Sequence, residues 1–350
     1  MLFTRRLVAL LAATAALVSC TDDPTSGGAG ANGGAGGDGA AGAAGPGTGP
    51  ASGGQGGVGA AGAAGGAGGG PTTGGGGTGG AMTNGFPPMW PSGEACGAED
   101  PIFVWEFAPD TFILRQSLCT SFEGPFLYLL FGEDKVILED TGDGGIPVQQ
   151  VVQSIIDQWL VDNGKESIEL VVVHSHGHGD HVSGDGQFQG QPNTTVVATG
   201  ANAVIDFFDI QGWPSETISY DLGGRSVDII PIPGHQSAHI AIYDPKYELL
   251  LTGDTLYPGR LYIQNFGEYV QSVQRLVSFT QTHPVSLVLG THIEMTNTPG
   301  QDFDFGADVH PNERELELTL SHLTELEAAV VAMGNSPQLE VHDDFIVYPL

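Results

Sequence analysis

Side chains that could bind a metal ion crowd into one short stretch of the sequence, directly after an apolar run at residues 171–173. Four of them fall within six positions, and glycines separate them: His176, His178, Asp180 and His181, with Gly177 and Gly179 between. Glycine lets a loop fold tightly, so alternate side chains can converge on one point. Neutral imidazoles and a carboxylate suit Zn²⁺ or another borderline divalent ion. A solvated polar loop is the alternative, but four ligand groups within six positions favour a metal site.

The pattern His176-x-His178-x-Asp180-His181 resembles the signature of the metallo-β-lactamase superfamily. Four further stretches resemble the remaining landmarks of that family and occur in the family's order, at residues 138–142, 233–235, 251–255 and 289–292. Each downstream motif is weak alone, but five motifs in the correct order across residues 122–295 are a strong signal. The resemblance implies an α/β fold, namely an αββα sandwich in which two mixed sheets are flanked by helices.

The resemblance also implies a ligand set for two metal ions. The expected ligands are His176, His178 and His235 for the first ion, Asp180, His181 and His292 for the second, and Asp254 as a bridge between them. Asp140 is expected just outside this set, where it would orient a ligand as outer carboxylates commonly do. The ions are expected to be divalent, with zinc first and iron or manganese as alternatives.

The chemistry expected of this ligand set is hydrolysis. Two ions about 3.5–4 Å apart can share one water and make it hydroxide near neutral pH. That hydroxide would attack a small ester, lactone, thioester or amide, so Asp180 and Asp254 are expected to be catalytic as well as metal-binding. A non-catalytic metal-binding surface lipoprotein and a single-iron redox member of the same superfamily are the alternatives. A complete ligand set favours catalysis, since a scaffold has no use for an open metal position.

Several residues near the motifs have two open interpretations. Tyr257 occupies the place where some lactonases of the family carry a catalytic tyrosine that contacts the substrate carbonyl, and its alternative is simple packing. His239, four positions after His235, would support the metal shell or point at substrate, or would occupy a plain strand position. Arg260 is the best candidate to meet a substrate carboxylate, and its alternative is a surface salt bridge. His174 is expected in a hydrogen-bonded structural role.

The motifs exclude some activities of the superfamily better than they select one. Asp254 counts against true zinc β-lactamases, which usually lack the bridging aspartate. Glyoxalase II enzymes carry a Gly-Gly-Cys-Gly-Arg run soon after that aspartate, whereas residues 255–260 read Thr-Leu-Tyr-Pro-Gly-Arg. The sequence therefore disfavours glutathione thioesters. A net charge of −31 also argues against nucleic-acid partners, because such a field repels phosphate backbones, and leaves a small molecule as the expected substrate.

The elements that must position these residues follow from hydrophobic periodicity. Apolar runs predict strands at residues 126–131, 135–139, 168–173, 195–198, 225–232, 239–243, 248–252, 285–289 and 345–349. Helices are predicted at residues 147–163, 201–209 and 266–282, and Gly164 would end the first of them. Asn312 and Glu315 form a capping-box pattern that predicts a long helix ending near Gly334. Each expected ligand lies at a strand end or in the loop after it, so a rigid sheet can fix the geometry.

The first 90 residues differ in kind from the catalytic domain predicted at residues 91–350. Arg5 and Arg6 precede an apolar run at residues 7–18, which is too short to span a bilayer and fits an export signal. The run ends Leu-Val-Ser-Cys and resembles the bacterial lipobox, so residues 1–20 would be a lipoprotein signal and Cys20 the lipidated N-terminus. An ordinary signal peptide with an incidental cysteine is the alternative. Residues 21–90 are predicted to form a disordered Gly/Ala-rich tether.

The predicted export has consequences for the two remaining cysteines and for where the protein is located. Cys96 and Cys119 would enter an oxidising compartment, where a pair usually forms a disulfide, with two free buried thiols as the alternative. The protein is expected to be anchored to the cell envelope, on its periplasmic or cell-surface side. The lipid would be its one contact with the membrane.

Overall fold

A computed structural model of the protein describes residues 83–350. The predicted signal sequence, Cys20 and most of the predicted tether lie outside the described residues. The last part of the predicted tether packs on the domain, because Asn84 donates a backbone hydrogen bond to Phe107 at 2.7 Å and Trp90 is buried in the core. These contacts lie just before residue 91, the predicted start of the domain. Within residues 83–350, no helix is both long and apolar enough to cross a bilayer.

The first sheet has six strands that lie side by side in chain order: β1 (Ile102–Ala108), β2 (Thr111–Gln116), β3 (Phe126–Phe131), β4 (Lys135–Glu139), β5 (Glu169–Val173) and β6 (Thr194–Val196). Strands β1 to β4 pair antiparallel, whereas β4, β5 and β6 pair in parallel. Parallel pairing requires a crossover, which helix α1 (Val148–Asn163) supplies between β4 and β5. Gly164 follows α1 with φ 63°, so the predicted helix-ending glycine is confirmed.

The second sheet also has six strands, in the order β13-β12-β10-β9-β8-β7. Their bounds are β7 (Ile218–Asp221), β8 (Ser226–Pro231), β9 (Ile240–Asp244), β10 (Leu249–Gly253), β12 (Leu287–Gly290) and β13 (Glu317–Leu318). A small third sheet has the order β11-β15-β14, from β11 (Arg260–Ile263), β14 (Glu340–Val341) and β15 (Ile346–Pro349). The remaining helices are α2 (Gly179–Val182), α3 (Ala201–Phe208), α4 (Phe266–Thr280) and α5 (Leu320–Met333).

The two large sheets pack face to face, with helices on their outer faces. Side chains alternate along the strands, so Ile137 of β4 joins the core between the sheets while its neighbours Val136 and Leu138 join a core beneath α1. On the other side, residues of β8, β9, β10 and β12 pack against α4 and α5 in a third core. Most of these strands are buried on both faces, which is why they read as continuous apolar runs. The predicted αββα sandwich is confirmed.

The long helix predicted from Asn312 is wrong. Asn312 has φ 60°, outside the helical region, and Glu317–Leu318 form strand β13 instead. Helix α5 begins only after Thr319, whose side chain and backbone form a reciprocal cap with His322. The capping pattern was misread because pairing of Leu318 with Val288 of β12 extends the sheet through the predicted first turns. Strands β1, β2, β7, β11 and β14 also escaped prediction. The expected disulfide is present between Cys96 and Cys119.

One acidic residue lies inside the sandwich without a partner. Glu139 ends β4 and shares a strand face with Ile137, which packs in the core between the sheets. Among residues 83–350, neither carboxyl oxygen of Glu139 has a hydrogen-bond partner. Burial, reinforced by the neighbouring Asp140 carboxylate, raises the pKa of Glu139 well above its ordinary value. The folded protein therefore favours the protonated, neutral form of Glu139.

Replacing Glu139 with glutamine should raise the free energy of unfolding at neutral pH. The unfolded chain ionises this residue above its ordinary pKa of about 4.3, whereas the folded protein keeps it protonated, so wild-type stability falls as pH rises between the two pKa values. Glutamine does not ionise, so the advantage of Glu139→Gln should grow by up to about 1.4 kcal/mol per pH unit across that range. Urea unfolding at about pH 5 and about pH 8 measures the difference, with the exposed Glu166→Gln as control. A pH-independent difference would contradict a buried neutral acid.

Candidate metal centre

The ends of several strands meet at one edge of the sandwich and carry the predicted ligands there. Strands β8, β10 and β12 run in one direction, because β9 is antiparallel to both β8 and β10 while β12 is parallel to β10. Their carboxyl ends therefore lie at the same edge, and His235, Asp254 and His292 follow them in the chain. The loop after β5, together with α2, brings the other four to the same place: His176, His178, Asp180 and His181.

Three imidazoles form the first group. His176 Nε2 lies 2.9 Å from His178 Nδ1 and 3.1 Å from His235 Nε2, and the last two atoms are 3.0 Å apart. His176 and His235 are buried, whereas His178 is partly open to solvent. Three nitrogens that face one another at such distances cannot all be satisfied as donor and acceptor pairs. A cation between them would accept all three lone pairs.

Two imidazoles and one carboxylate form the second group. Asp180 Oδ2 lies 3.0 Å from His181 Nε2 and 3.2 Å from His292 Nε2, and the two nitrogens are 3.4 Å apart. A tetrahedral ion with bonds of roughly 2.0–2.1 Å places its ligand atoms about 3.3 Å apart. The spacing in both groups therefore fits a small divalent ion of the kind that binds imidazole and carboxylate.

Asp254 lies between the two groups and turns one oxygen to each. Its Oδ2 is 3.6 Å from His176 Nε2 and 3.3 Å from His235 Nε2. Its Oδ1 is 3.5 Å from His181 Nε2 and 3.3 Å from His292 Nε2. These distances again match ligand spacing around an ion, so this single carboxylate is placed to contact an ion in either group. The seven predicted ligands thus come together as two adjoining groups that share Asp254.

Each of the five imidazoles has its other ring nitrogen held by a neighbour, which fixes the ring. For four of them the neighbour is an oxygen that accepts the ring N–H, so the remaining lone pair is aimed at the centre. The neighbours are the Ser175 hydroxyl for His176 (3.1 Å), the Gln264 amide for His178 (3.0 Å), the Asp140 carboxylate for His181 (2.8 Å), the Tyr262 carbonyl for His235 (2.6 Å) and the Glu123 carbonyl for His292 (2.9 Å). The donor set is therefore oriented by the fold itself.

The electrostatics of the two groups differ. Burial, reinforced by the nearby His181, lowers the pKa of His176 well below its ordinary value, so this imidazole is neutral and able to donate a lone pair. Burial opposes protonation of His292, but the carboxylates of Asp254 and Asp180 raise its pKa well above the ordinary value. The second group thus attracts positive charge strongly, because it contains the carboxylate of Asp180 in addition to the shared Asp254.

Asp140 supports the second ligand group through His181, as expected from the sequence. Its Oδ1 accepts the Ser175 backbone N–H at 2.8 Å, and its Oδ2 accepts the Ser175 hydroxyl and the His181 ring N–H, both at 2.8 Å. The residue is fully buried and has φ 69°, so the chain turns sharply as it leaves β4. That turn points the carboxylate at α2 rather than along the sheet.

His239 and His174 lie behind the ligands and do not reach the opening. The His239 ring is fully buried, 4.8 Å from the His176 ring, and its Nδ1 lies 3.2 Å from the Thr255 hydroxyl. His239 thus supports the shell from the core, and it does not point at substrate. His174 Nε2 lies 2.8 Å from Asp185 Oδ1, in the hydrogen-bonded role expected of it.

Tyr257 and Arg260 do not present free groups to a substrate. The Tyr257 hydroxyl is buried and donates to the Arg260 carbonyl and to Glu294 Oε2, the latter at 3.2 Å, which is the position of a packing residue. The Tyr257 hydroxyl is thus engaged within the fold, and the catalytic role expected for Tyr257 stays a prediction. Arg260 forms the salt-bridge alternative, with Nε 2.6 Å from Asp302 Oδ2 and Nη1 3.4 Å from Glu294 Oε1.

Sequence reasoning missed several neighbours of the centre. Glu123 and Tyr262 act through backbone carbonyls, which every residue type possesses, so their sequence carries no signal of this role. Gln264 follows β11, a strand that was not predicted. Ser175 could have been found, since it lies inside the histidine motif and bonds Asp140 through both its amide and its hydroxyl.

Comparison with known proteins extends this description. A family model for the metallo-β-lactamase superfamily matches residues 122–334. Hydroxyacylglutathione hydrolase of Parasynechococcus marenigrum is 32% identical over 132 residues, which cover 34% of this chain and 49% of that protein. Hydroxyacylglutathione hydrolase of Bdellovibrio bacteriovorus is 27% identical over 177 residues, which cover 49% of this chain and 64% of that protein. The chain thus spans between about half and two thirds of the length of these relatives.

Solved structures also match. A metallo-β-lactamase from Pontibacter korlensis aligns with 66% of this chain and 99% of its own, at 19% sequence identity and a TM-score of 0.45. The family model covers more than half of the chain and includes every residue of the two ligand groups. The chain belongs to the metallo-β-lactamase superfamily.

Proposed function

We propose that this protein is a dinuclear metal-dependent hydrolase that cleaves a small ester, lactone, thioester or amide outside the cytoplasm. The observation that carries the proposal is the position of Asp254, which turns one carboxylate oxygen to each of two complete ligand groups. Two adjoining sites with a shared carboxylate are the arrangement of two-metal hydrolytic centres. A single-iron redox centre would need only one of the groups.

Two divalent ions in these sites would act as Lewis acids on a water molecule and on the substrate oxygen. Imidazole nitrogens and carboxylate oxygens are common zinc ligands, so zinc is the first candidate. Iron and manganese accept the same ligands and are the alternatives. Both sites would be filled from the open side, where the Asp180 side chain is 18% exposed against 8% for Asp254. Substrate would approach over Asp180 and His178.

The remaining task, holding the metal ligands in position, is shared among several residues. His176, His178 and His235 fix the first site, and Asp140 fixes the ring of His181 in the second. Because strand ends carry these groups, little rearrangement is needed when a reaction changes the charge between them. Ser175 lies beside His176, but it is fully buried and donates to Asp140, so it is not available as a nucleophile.

Metal content should respond separately to the two groups. The zinc-loaded protein should hold about two ions per chain, and His235→Ala and His292→Ala should each hold about one, because each change removes a ligand from one group only. Plasma mass spectrometry after dialysis measures the ratio. His283→Ala removes an imidazole that stacks on Phe279 away from the centre, so it should keep the wild-type content. Equal metal content in all of these variants would contradict the two-site assignment.

Hydrolysis should depend on the shared carboxylate. A panel of chromogenic lactone, thioester, ester and amide substrates should identify at least one that the metal-loaded protein cleaves. For that substrate, Asp254→Asn should lower kcat/KM by about 100-fold or more, the usual effect of losing a group that acts at the reacting centre. A chelator should abolish the same activity, and added zinc should restore it. Failure of the metal-loaded protein on the entire panel would favour a non-catalytic metal protein.

We also propose that the protein is exported and lipid-anchored. The Cys96–Cys119 disulfide supports an oxidising compartment, since such bonds rarely persist in the cytosol. Mass spectrometry of the protein from its native membrane fraction should find a mature chain that begins at a lipid-modified Cys20. Cys20→Ser should stay uncleaved and unmodified, whereas Cys119→Ser should be processed normally. A mature chain that begins elsewhere, without lipid, would overturn the anchor.

A further inference from the structure

An aromatic pair borders the first ligand group. His235 donates its ring N–H to the carbonyl of Tyr262 at 2.6 Å, so the backbone of Tyr262 lies directly against this group. The Tyr262 ring packs on Tyr348 of β15, with ring centroids 5.0 Å apart. Both rings are partly exposed. The small third sheet therefore sets two aromatic side chains beside the opening.

A second aromatic pair borders the other ligand group. His292 donates its ring N–H to the Glu123 carbonyl at 2.9 Å, and Phe122 is the adjacent residue. The Phe122 ring packs against Phe305 at 5.7 Å, although the two residues remain 38% and 73% exposed. Large apolar side chains left in solvent in this way commonly mark a binding surface.

The segments that carry the two pairs are connected by hydrogen bonds. Arg260 and Tyr262 lie two apart on β11 and share its exposed face. Arg260 bonds Glu294 and the Phe303 carbonyl, and the Phe303 amide donates to the Glu294 carbonyl at 2.8 Å. Phe305 follows two residues later. We name this surface the cleft wall and define it by Tyr348, Tyr262, Arg260, Glu294, Phe305, Phe122 and Glu123.

The cleft wall offers no free positive charge. Arg260 is its one cation, and Asp302 and Glu294 contact it at 2.6 and 3.4 Å, so its positive charge is already paired. Glu123 adds a further carboxyl group close to the second ligand group. Arg115 lies behind the Phe122 loop, but it is 1% exposed and bonded to Glu313 at 2.6 Å.

Elsewhere in residues 83–350 the lysines and arginines are committed to other partners. Three of them form ion pairs: Arg225 with Asp244, Lys246 with Asp110, and Arg314 with Asp344. Three others donate to backbone carbonyls: Lys135 to Asp221, Lys165 to Glu133, and Arg275 to Pro231. A substrate carboxylate on the cleft wall would therefore meet acidic groups and aromatic faces without a free lysine or arginine to pair with it.

We propose that the substrate is an uncharged ester or lactone whose apolar acyl or aryl part lies on the cleft wall. This inference rests on the proposed hydrolase activity and narrows it. Apolar substrate surface would cover the exposed rings, which favours binding, while the acidic surroundings repel anions. Anionic thioesters with free carboxylates, and carboxylated lactams, are correspondingly poor substrates.

The charge test compares two esters of equal length with the full-length, metal-loaded protein. Phenyl hexanoate is neutral, and the monophenyl ester of adipic acid carries a carboxylate at the far end of the same chain. The neutral ester should have a kcat/KM at least about 10-fold higher at low salt, and the ratio should shrink as salt screens the wall. Burial raises the pKa of Glu123 to about 7, so this comparison is made at about pH 8, where the carboxyl group is largely ionised. Glu123→Gln keeps the carbonyl that holds His292 but removes the acid, so it should raise the relative rate of the carboxylated ester at that pH.

The apolar test compares acyl lengths. The hexanoate should exceed the acetate in kcat/KM by on the order of 10-fold, and the double variant Phe122→Ala, Phe305→Ala should remove most of this preference by raising KM for the hexanoate. Calorimetry with hexyl phenyl ether, which is not hydrolysed, should show weaker binding to the same variant. Val161→Ala removes an exposed apolar side chain on α1 and should change neither measurement.

The outcomes separate this inference from the proposed activity. If no ester or lactone is cleaved while a thioester or amide of the panel is, the hydrolase proposal stands and this inference fails. If nothing in the panel is cleaved, both fail. If the carboxylated ester is cleaved as well as the neutral one, the hydrolase stands and the uncharged substrate is overturned. If the double variant keeps both the chain-length preference and the ether affinity, the aromatic wall is not the binding surface.

Discussion

The structure depends on holding nitrogen lone pairs against one another. His176, His178 and His235 direct theirs to a common point with separations of 2.9 to 3.1 Å, an arrangement that is repulsive unless a cation lies between them. A flexible loop would relieve the repulsion by turning the rings away. The rings instead stay because each has its outer nitrogen bonded to a neighbouring group, and these groups (Ser175, Tyr262 and Gln264) lie in or just after strands β5 and β11.

The packing of the sandwich makes the strand ends rigid. Its strands are buried on both faces, with α1 covering one sheet and α4 with α5 covering the other, so the strand ends cannot shift without disturbing two cores at once. The single direction of β8, β10 and β12 then gathers three ligands from distant parts of the chain. The third sheet adds no ligand, but it supplies the Tyr262 carbonyl to His235 and much of the cleft wall.

The centre itself could be foreseen far better than its surroundings. Imidazole and carboxylate groups at fixed short spacing have few other uses, so the motifs pointed to the groups that the fold does bring together. Arg260 and Tyr257 could not be resolved in advance, because their partners Glu294 and Asp302 come from a separate loop. The start of α5 was misjudged for a similar reason: Leu318 is committed to a strand partner, and local capping signals carry no information about sheet pairing.

The turn at Asp140 narrows the choice of residue there to one. With φ 69°, the position suits glycine, asparagine or aspartate far better than bulkier side chains. Glycine would lose the contacts with Ser175 and His181, and the amide of asparagine would place a donor against groups that themselves donate. The backbone conformation and the hydrogen-bond partners thus each favour aspartate independently. Few substitutions at position 140 should therefore be tolerated in evolution.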